Sequence, residues 1–484
     1  MRILLVSHDY LPNHPAGTEI YTHQLGLELK ARGHEVHIFT TEKDISRPNL
    51  EVRLREWEGL PVHELTNNLF YNSFAETWDY PPVARTFAIF LRELRPDIVH
   101  FMHLMYLSVG CAEEAQRAGI PVFQTLHDYW LQCARFGQRV HAEGAICHTI
   151  EFARCGDCLA SFKFRQTRVE RRTAKIIAAV RSGSGIDLGP LARRFATGFQ
   201  RRIGRGPARQ DAPSGSNPSP SAAAGYYPAA AAERESMAAQ AAERDRAIRA
   251  RLLPVVRRFI APSLFLMHRF REWGVPEQQL LHMRTGIDPR PFAEFRRTPS
   301  DRLRIGFIGT LAPHKGPHVL LQAWNRLAPA LRERARLSLW GPKAHNPAYV
   351  QELEALADAG GAQLHGRLER HEVARALADI DLLVMPSVWY ENSPLIILEA
   401  LATRTPIAVS DLGGMAELVR PGVTGFHFRV GDPADLAALL TRVLSRPEEL
   451  ARLHPSAADV RDVRADAADL EALYELERSG SVAR

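Results

Sequence analysis

Residues 382–399 read LLVMPSVWYENSPLIILE. Leu382 to Met385 is an apolar run short enough for a buried strand, and Pro386-Ser387 ends it. Asn392-Ser393-Pro394 can then open a helix, with proline near its first turn. Glu391 stays in the loop, while Glu399 falls about two turns down the helix. Strand, polar loop and helix in that order form the unit of a doubly wound α/β sheet. Ligands of such sheets bind at the carboxyl ends of the strands. Exposed N–H groups at the helix start suit an anion or a sugar hydroxyl.

Working outward, the same unit recurs. Arg304 to Ile308 reads as a strand, Gly309-Thr310-Leu311-Ala312-Pro313-His314-Lys315-Gly316 as a loop, and Pro317 to Leu327 as a helix. The loop sets backbone N–H groups and a lysine where a phosphate can sit, without the Gly-Lys-Ser/Thr ending of a Walker motif. Pro406 to Val409 is a strand running into Ser410-Asp411-Leu412-Gly413-Gly414, with Glu417 following. That glycine pair allows close backbone approach to a ligand. Arg336–Trp340 and the region of Leu364 supply further strands. In the first half, Arg2–Ser7, Gly17, Thr18–Arg32 and Glu35–Thr40 open as strand, glycine loop, helix and strand. Asp97–His100, Val109–Ala118 and Pro121–Thr125 continue the alternation, so a parallel sheet is expected. His8, Gly17, His100 and His127 fall at its carboxyl ends. Glu233–Val256 is helical; Phe259–Ala261 is a strand, and Pro262-Ser263 precedes the helix Leu264–Arg271. Two such lobes leave a deep cleft, the default ligand site.

The 484 residues are 45% hydrophobic and 24% charged, which excludes a wholly disordered chain. No run reaches about 18 apolar residues, so no membrane-spanning helix is expected. Ile3–Val6 stops at Ser7-His8-Asp9, too short for a secretory signal, and a cytoplasmic protein is expected. The net charge of +6 is uneven: Ser161–Gln210 holds 13 Lys or Arg against 2 acidic residues. Phe162, Phe164, Phe195 and Phe199 interleave with those arginines. The stretch reads as a contact for an anionic membrane surface, a solvated helix face, or a nucleic-acid contact. Ala212–Ala232 is 18 of 21 Ala, Gly, Pro or Ser, the composition of a disordered linker. Cys133, Cys147, Cys155 and Cys158 fall within 26 residues, which in a cytosolic chain suggests metal before disulfide. Four thiolates suit tetrahedral structural zinc, with His141 or His148 able to replace one. An iron–sulfur centre and unligated or redox-active thiols are the alternatives. Cys111, among small residues, reads as a buried hydrophobe.

Taken in order, the chain carries Gly17-Thr18-Glu19, His127-Asp128, Pro262-Ser263, Gly286-Ile287-Asp288 and Gly309 to Gly316. Glu391 and Glu399, Ser410 to Gly414, and Gly422 with Gly425 follow. Over residues 1–130 and about 245–445 this resembles glycosyltransferase family 4. The resemblance implies a GT-B fold: two Rossmann-like doubly wound α/β lobes facing a central cleft. It implies a retaining glycosyltransferase that moves a sugar from a nucleoside-diphosphate sugar to a glycan or lipid-linked acceptor, without a catalytic metal. Glu399 would hold the ribose and Glu391 would lie by the donor sugar and leaving group. The backbone of Asn392, Ser393, Pro394 and Leu395 would meet sugar and phosphates. Lys315 would balance the diphosphate, with His127 touching the donor sugar and the Ala16-Gly17-Thr18 loop lying by phosphate and acceptor. Three positions depart from the family pattern. Thr310 stands where an arginine usually follows Gly309, leaving Arg367 or His314 to replace that phosphate contact. Ala16-Gly17 replaces a glycine pair, and Thr285 an asparagine. The expected division is an N-terminal acceptor-side lobe, 1–285, with an insertion at 133–245. The insertion comprises a Cys knob (133–158), a basic segment (161–210) and a linker (212–232). A C-terminal nucleotide-sugar lobe (286–450) and terminal helices (451–484) packing on the first lobe follow. Alternatives are a sugar-phosphate synthase or nucleotide-sugar epimerase on the same fold, or a non-catalytic binder of nucleic acid or membrane.

Overall fold

A computed structural model describes residues 1–162, 164, 172, 176, 230–295, 297–343 and 346–482. Most of the basic segment, with Phe195 and Phe199, and the linker up to residue 229 lie outside the described residues. The linker expected to run to Ala232 gives way to the helix Ala231–Leu252.

Two sheets form two lobes. In the first, β1 (Arg2–Val6), β2 (Glu35–Glu42), β3 (Val52–Trp57), β4 (Leu60–Thr66), β5 (Ile98–Phe101), β6 (Val122–Thr125), β7 (Arg258–Ala261) and β8 (Leu280–His282) take the order β3-β4-β2-β1-β5-β6-β7-β8. All neighbours pair in parallel except β3 and β4. In the second, β9 (Leu303–Ile308), β10 (Ala335–Trp340), β11 (Gln363–His365), β12 (Leu382–Met385), β13 (Ile407–Ser410) and β14 (Gly425–Phe428) run β11-β10-β9-β12-β13-β14, all parallel. The central strands are buried on both faces, which is why they read as unbroken apolar runs rather than alternations. Each sheet changes direction of winding beside its first strand, and the carboxyl ends of β1 and β9 face the cleft.

The chain crosses between lobes twice at one place. Ile287 bridges in parallel to Asp462, and the Gly286 N–H donates to Asp466 Oδ2 at 2.7 Å. From there the helix Val463–Val482 returns to the first lobe. Val463, Ala467, Leu470 and Tyr474 join Ile3, Leu5, Leu25 and Ile38 in one core. His100, expected at a ligand-facing strand end, is instead fully buried. It bonds to Tyr474 and to Thr125 Oγ1, so the fold uses it to seat that helix.

The described part of the cysteine-bearing stretch packs against the first lobe. Its helix Phe152–Ala160 packs on Ala231–Leu252, and Leu159, Met237, Ala241 and Phe74 close a small core with it. Arg244, buried on that long helix, donates to the carbonyls of Leu131 and Trp130 and ties the stretch to the end of β6.

Candidate active site in the cleft between the lobes

Lys315 sits in a single helical turn, Pro313–Lys315, after β9. Gly316 ends that turn at φ 71°, and a Cβ there would lie 1.9 Å from the Pro386 carbonyl oxygen. The lysine loop is therefore pressed against the end of β12, which brings Lys315 to the 391–399 segment. Its Nζ donates to Glu391 Oε1 at 2.7 Å and lies 4.8 Å from the centre of the Trp389 ring. Ser387 Oγ donates to the same carboxylate oxygen at 2.9 Å. Burial pushes the Glu391 carboxyl up, but the Lys315 charge and these hydrogen bonds outweigh it and hold it below the usual range. Lys315 is thus partnered by a carboxylate before any phosphate arrives, which its place in the sequence does not show.

The 391–395 loop faces the first lobe. Asn392 Nδ2 donates to the His127 carbonyl at 2.7 Å, and a Cβ on Gly17 would lie 3.8 Å from Leu395. Tyr390 OH and His148 Nδ1 share a hydrogen bond of 2.6 Å, so the cysteine-bearing stretch touches this loop too. Asn392 Oδ1 and Ser393 Oγ are buried without a partner among the described residues, at the start of the helix Leu395–Ala402. These groups and the free N–H groups of that helix start can meet a ligand's oxygens.

Gly413-Gly414 does something other than approach a ligand. A Cβ on Gly414 would lie 1.9 Å from the Asn392 carbonyl oxygen, and the Gly414 N–H donates to the Glu391 carbonyl at 2.7 Å. The pair lies against the 391–392 loop and fixes it. Glu417, on the same short helix, accepts the N–H groups of Leu264 and Phe265, capping a first-lobe helix from the second lobe.

Glu399 is buried on Leu395–Ala402 and ion-paired to Arg370. The structure brings Lys315 and Glu391 together but gives Glu399 a separate cation. Thr310 and Arg367 are exposed near the ends of β9 and β11. His314 is packed at 4.9 Å from Trp389, and burial, with Lys315 adding to it, pushes its imidazole down to about 4. It is uncharged at neutral pH.

On the first lobe, His127 ends β6 with its ring edge-on to Tyr21 at 5.6 Å. Burial, and then His103, press it down to about 3, so it is a neutral imidazole, and Nε2 has no partner among the described residues. Sequence reasoning set His8, Glu19 and Asp128 at or after strand ends but missed His103 and the contacts that join them. His103 Nδ1 accepts the Met105 N–H, so Nε2 carries the proton that it donates to Asp128 at 3.0 Å. The His8 ring lies 4.3 Å from His103, and His8 Nδ1 is 3.5 Å from Glu19 Oε1. The available signal was His8, His103 and Asp128 all following strands of one parallel sheet.

Glu19 is 1% exposed, and burial raises its carboxyl to about 7. A raised carboxyl means that the folded chain binds the proton more tightly than the unfolded chain. Its stabilising share is therefore complete at low pH and lost as pH rises through 7. Glu19→Gln is expected to gain about 1 kcal/mol over the parent between pH 6 and pH 8, read as diverging urea midpoints. Parallel stability curves would contradict this.

Among known proteins, the family described as "Glycosyl transferases group 1" matches residues 291–460, and "Glycosyl transferase 4-like domain" matches residues 16–214. The chain is a GT-B-fold relative of these glycosyltransferases. The group 1 match covers the Lys315 and Glu391 loops; the 4-like match covers Glu19 and His127. The D-inositol 3-phosphate glycosyltransferase of Stackebrandtia nassauensis is 34% identical over 190 residues, 36% of this chain and 43% of that one. That of Geodermatophilus obscurus is 33% identical over 205 residues, 38% and 45% of the two chains. The match therefore spans under half the length of these curated relatives. Among solved structures, the sucrose-phosphate synthase of Thermosynechococcus elongatus superposes with a TM-score of 0.62 at 16% identity, covering 99% of both chains. Anabaena HepE in complex with UDP-glucose gives 0.59 at 17%, covering 98% of this chain and 99% of that one. At such identities the likeness shows the two-lobed fold.

The four cysteines line one cavity of about 50 Å³ with Arg135, Arg139, His141 and Arg244. Burial, then the neighbouring Cys133 and Cys147, push the Cys155 thiol up to about 12, and burial also raises Cys147 and Cys158. His141 Nε2 is buried there without a partner among the described residues. Yet among those residues no three His, Cys, Asp or Glu side chains are set to hold a metal ion. The expected zinc site is gathered in space but not prearranged.

Proposed function

We propose that the chain is a retaining glycosyltransferase. It moves a sugar from a nucleoside-diphosphate sugar to a glycan or lipid-linked acceptor, in cell-envelope polysaccharide or glycoconjugate synthesis. The observation that supports this most is the Lys315–Glu391 pair near a helix N-terminus, beside Asn392, which bonds the His127 carbonyl of the other lobe. A departing diphosphate develops charge on its β-phosphate, and a lysine with oriented N–H groups stabilises that charge where it forms. Glu391, freed from Lys315 by the arriving diphosphate, faces the positive charge that grows on the sugar ring. The departing phosphate takes the acceptor proton on its own face, so no metal enters the chemical step. HepE binding UDP-glucose supports a nucleotide-sugar donor.

Thermal-shift titration with UDP, GDP, ADP and their sugars tests the class: one nucleotide should raise Tm and the rest should not. No response at about 10 Kd-equivalents of any nucleotide, in the millimolar range, would end this reading. Within it, Glu399→Gln should raise the donor KM about tenfold while changing kcat less, because the ribose contact is made equally before and during reaction.

The finer reading of the cysteines is structural zinc, reached by rotation of thiols that already line one cavity. Elemental analysis of protein purified without chelator should give about one zinc per chain, lost in Cys155→Ser/Cys158→Ser. Under half an equivalent would show thiols alone. The basic segment reads as a contact for an anionic membrane surface, which would place the chain in the cytoplasm against the inner face of the membrane. Its support is the Arg and Phe interleaving. Among the described residues no helix is long and apolar enough to cross a membrane.

A further inference from the structure

Trp389, Tyr390 and Glu391 form one tight turn whose neighbouring side chains go to different lobes. The Glu391 N–H donates to the Trp389 carbonyl at 3.0 Å, which sets Tyr390 at the apex of a three-residue turn. Trp389 and Glu391 both meet Lys315 of their own lobe: its Nζ lies 4.8 Å from the Trp389 ring centre and 2.7 Å from Glu391 Oε1. Tyr390 leaves in the other direction. It is 2% exposed and belongs to the apolar core of the first lobe, whose other buried members run from Leu4 to Val275. Its ring lies 4.8 Å from Phe265 and 5.7 Å from Tyr129, and the Arg269 guanidinium stands 5.6 Å from its centre. Its hydroxyl shares the 2.6 Å hydrogen bond with His148 Nδ1.

His148 is exposed, but its backbone is held. Arg139 donates to the Cys147 carbonyl at 3.0 and 2.7 Å and to the His148 carbonyl at 2.9 Å. Arg269 adds a bond of 3.4 Å to the His148 carbonyl, and the Cys147 N–H donates back to the Arg139 carbonyl at 2.8 Å. Arg139 is 4% exposed, and its remaining donor meets Gln132 Oε1 at 2.6 Å. A buried guanidinium is costly unless hydrogen bonds complete it. Here backbone carbonyls and an amide complete it, so a buried charge is committed to fixing one short stretch of chain. The side chain that this stretch presents to the second lobe is His148.

We propose that His148 and Tyr390 are positioning residues, whose contact carries the first lobe's hold on the apex of this turn to the Lys315–Glu391 pair beside it. The proposal rests on the transferase reading above and gives the cysteine-bearing stretch a part in it. A three-residue turn has little slack. Its hydrogen bond ties Trp389 to Glu391, so a shift at Tyr390 moves both groups that face Lys315. A misplacement of about 1 Å at reacting groups costs about 100-fold in rate, and a loosened apex costs part of that. The contact is separate from the Asn392 bond to the His127 carbonyl, which holds the other side of Glu391. Neither residue is placed at the ribose or the phosphates, so donor affinity should change little.

The test uses the full chain and the nucleotide sugar that raises its Tm most. Tyr390→Phe keeps the ring and removes only the hydroxyl. His148→Ala removes the partner, and His148→Asn puts an amide near the place of Nδ1. Donor cleavage by water at saturation, read as released nucleoside diphosphate, should fall about fivefold in Tyr390→Phe and in His148→Ala. Affinity for the nucleotide sugar, read by calorimetry, should change less than about twofold. The two changes together should lower the rate no further than either alone, because both break one bond. His148→Asn should keep at least about half of the parent rate. Hydrogen exchange in the peptide 386–395 should quicken about fivefold in His148→Ala and stay at the parent value in His148→Asn. Parent-like rate and exchange in both single variants overturn the proposal even if Tm falls, since the contact then adds stability alone. Losses that multiply in the pair overturn it too. If no nucleotide binds, the transferase reading falls, while the exchange result still decides whether His148 holds the loop, so the two failures are distinguishable.

Discussion

Lys315→Ala should lower turnover about 100- to 1,000-fold, the loss typical when one preorganised donor to a developing negative charge is removed. The donor KM should move far less, because the lysine acts on charge that grows only as the diphosphate departs. The same substitution has a second, separable effect. Glu391 is 7% exposed at its side chain, and Lys315 is its cation at 2.7 Å. Removing the lysine leaves a buried carboxylate without its cation, with Ser387 Oγ still donating to it at 2.9 Å. Glu391 is held below the usual carboxylate range in the fold. The pair's stabilising share is therefore present above the ordinary glutamate pKa of about 4.3 and lost as pH falls through the lowered value. The variant should melt below the parent at neutral pH, and the gap should close as pH falls under about 4. Adding Glu391→Gln should recover most of the melting deficit and none of the turnover. If both recover together, Lys315 is a structural partner of Glu391 and not a catalytic group.

That dual role could not be read from the chain. Lys315 and Glu391 were each visible at a strand end, because a short apolar run followed by Gly or Pro-Ser marks where a parallel strand stops. Their 2.7 Å contact depends on Gly316, whose missing side chain lets the lysine loop lie on Pro386, and no periodicity reports that. Glu399 shows the same limit from the other direction. Its helical position was legible, but its cation, Arg370, comes from a loop 29 residues upstream with no motif of its own. The clustering of the first-lobe groups escaped for a further reason. His8, His103 and Asp128 are scattered over 120 residues, and only the parallel order β1-β5-β6 makes them neighbours. The hairpin of β3 and β4 was missed because β3 alternates exposed and half-buried residues at the sheet edge. The apolar runs that betray central strands are absent there. The cysteines were legible as a group, since four at close spacing nearly force proximity, whereas the rotamers that decide whether they ligate are not a property of spacing.

Gly414→Ala should be among the most damaging single-methyl changes available in this chain. An added Cβ meets the Asn392 carbonyl oxygen at 1.9 Å and Ser263 Oγ at 2.8 Å. The first is backbone, so it cannot swing aside, and the loop from Glu391 to Asn392 must move by about 1.5 Å to reach an ordinary contact. The displacement falls on every link that assembles the cleft. It stretches the Gly414 N–H bond to Glu391, the Glu391 bond to Lys315 and the Asn392 bond to the His127 carbonyl. A misplacement of that size costs about 100-fold in rate when it falls on reacting groups. The core should survive, because Met415 and the apolar face of the same helix stay packed. The expected outcome is a variant that melts within about 3 kcal/mol of the parent but turns over about 100-fold more slowly. Donor affinity should fall in parallel, since the helix start that meets the phosphates moves with the loop. Gly413→Ala is the control: its φ of 62° makes any side chain strained, yet its nearest neighbour, the Glu391 carbonyl oxygen, is 2.9 Å from the added carbon rather than 1.9 Å. It should lose stability with a smaller loss of rate. If the two substitutions trade places, with Gly414→Ala harmless to turnover, then the 391–392 loop is not what holds the reacting groups in register.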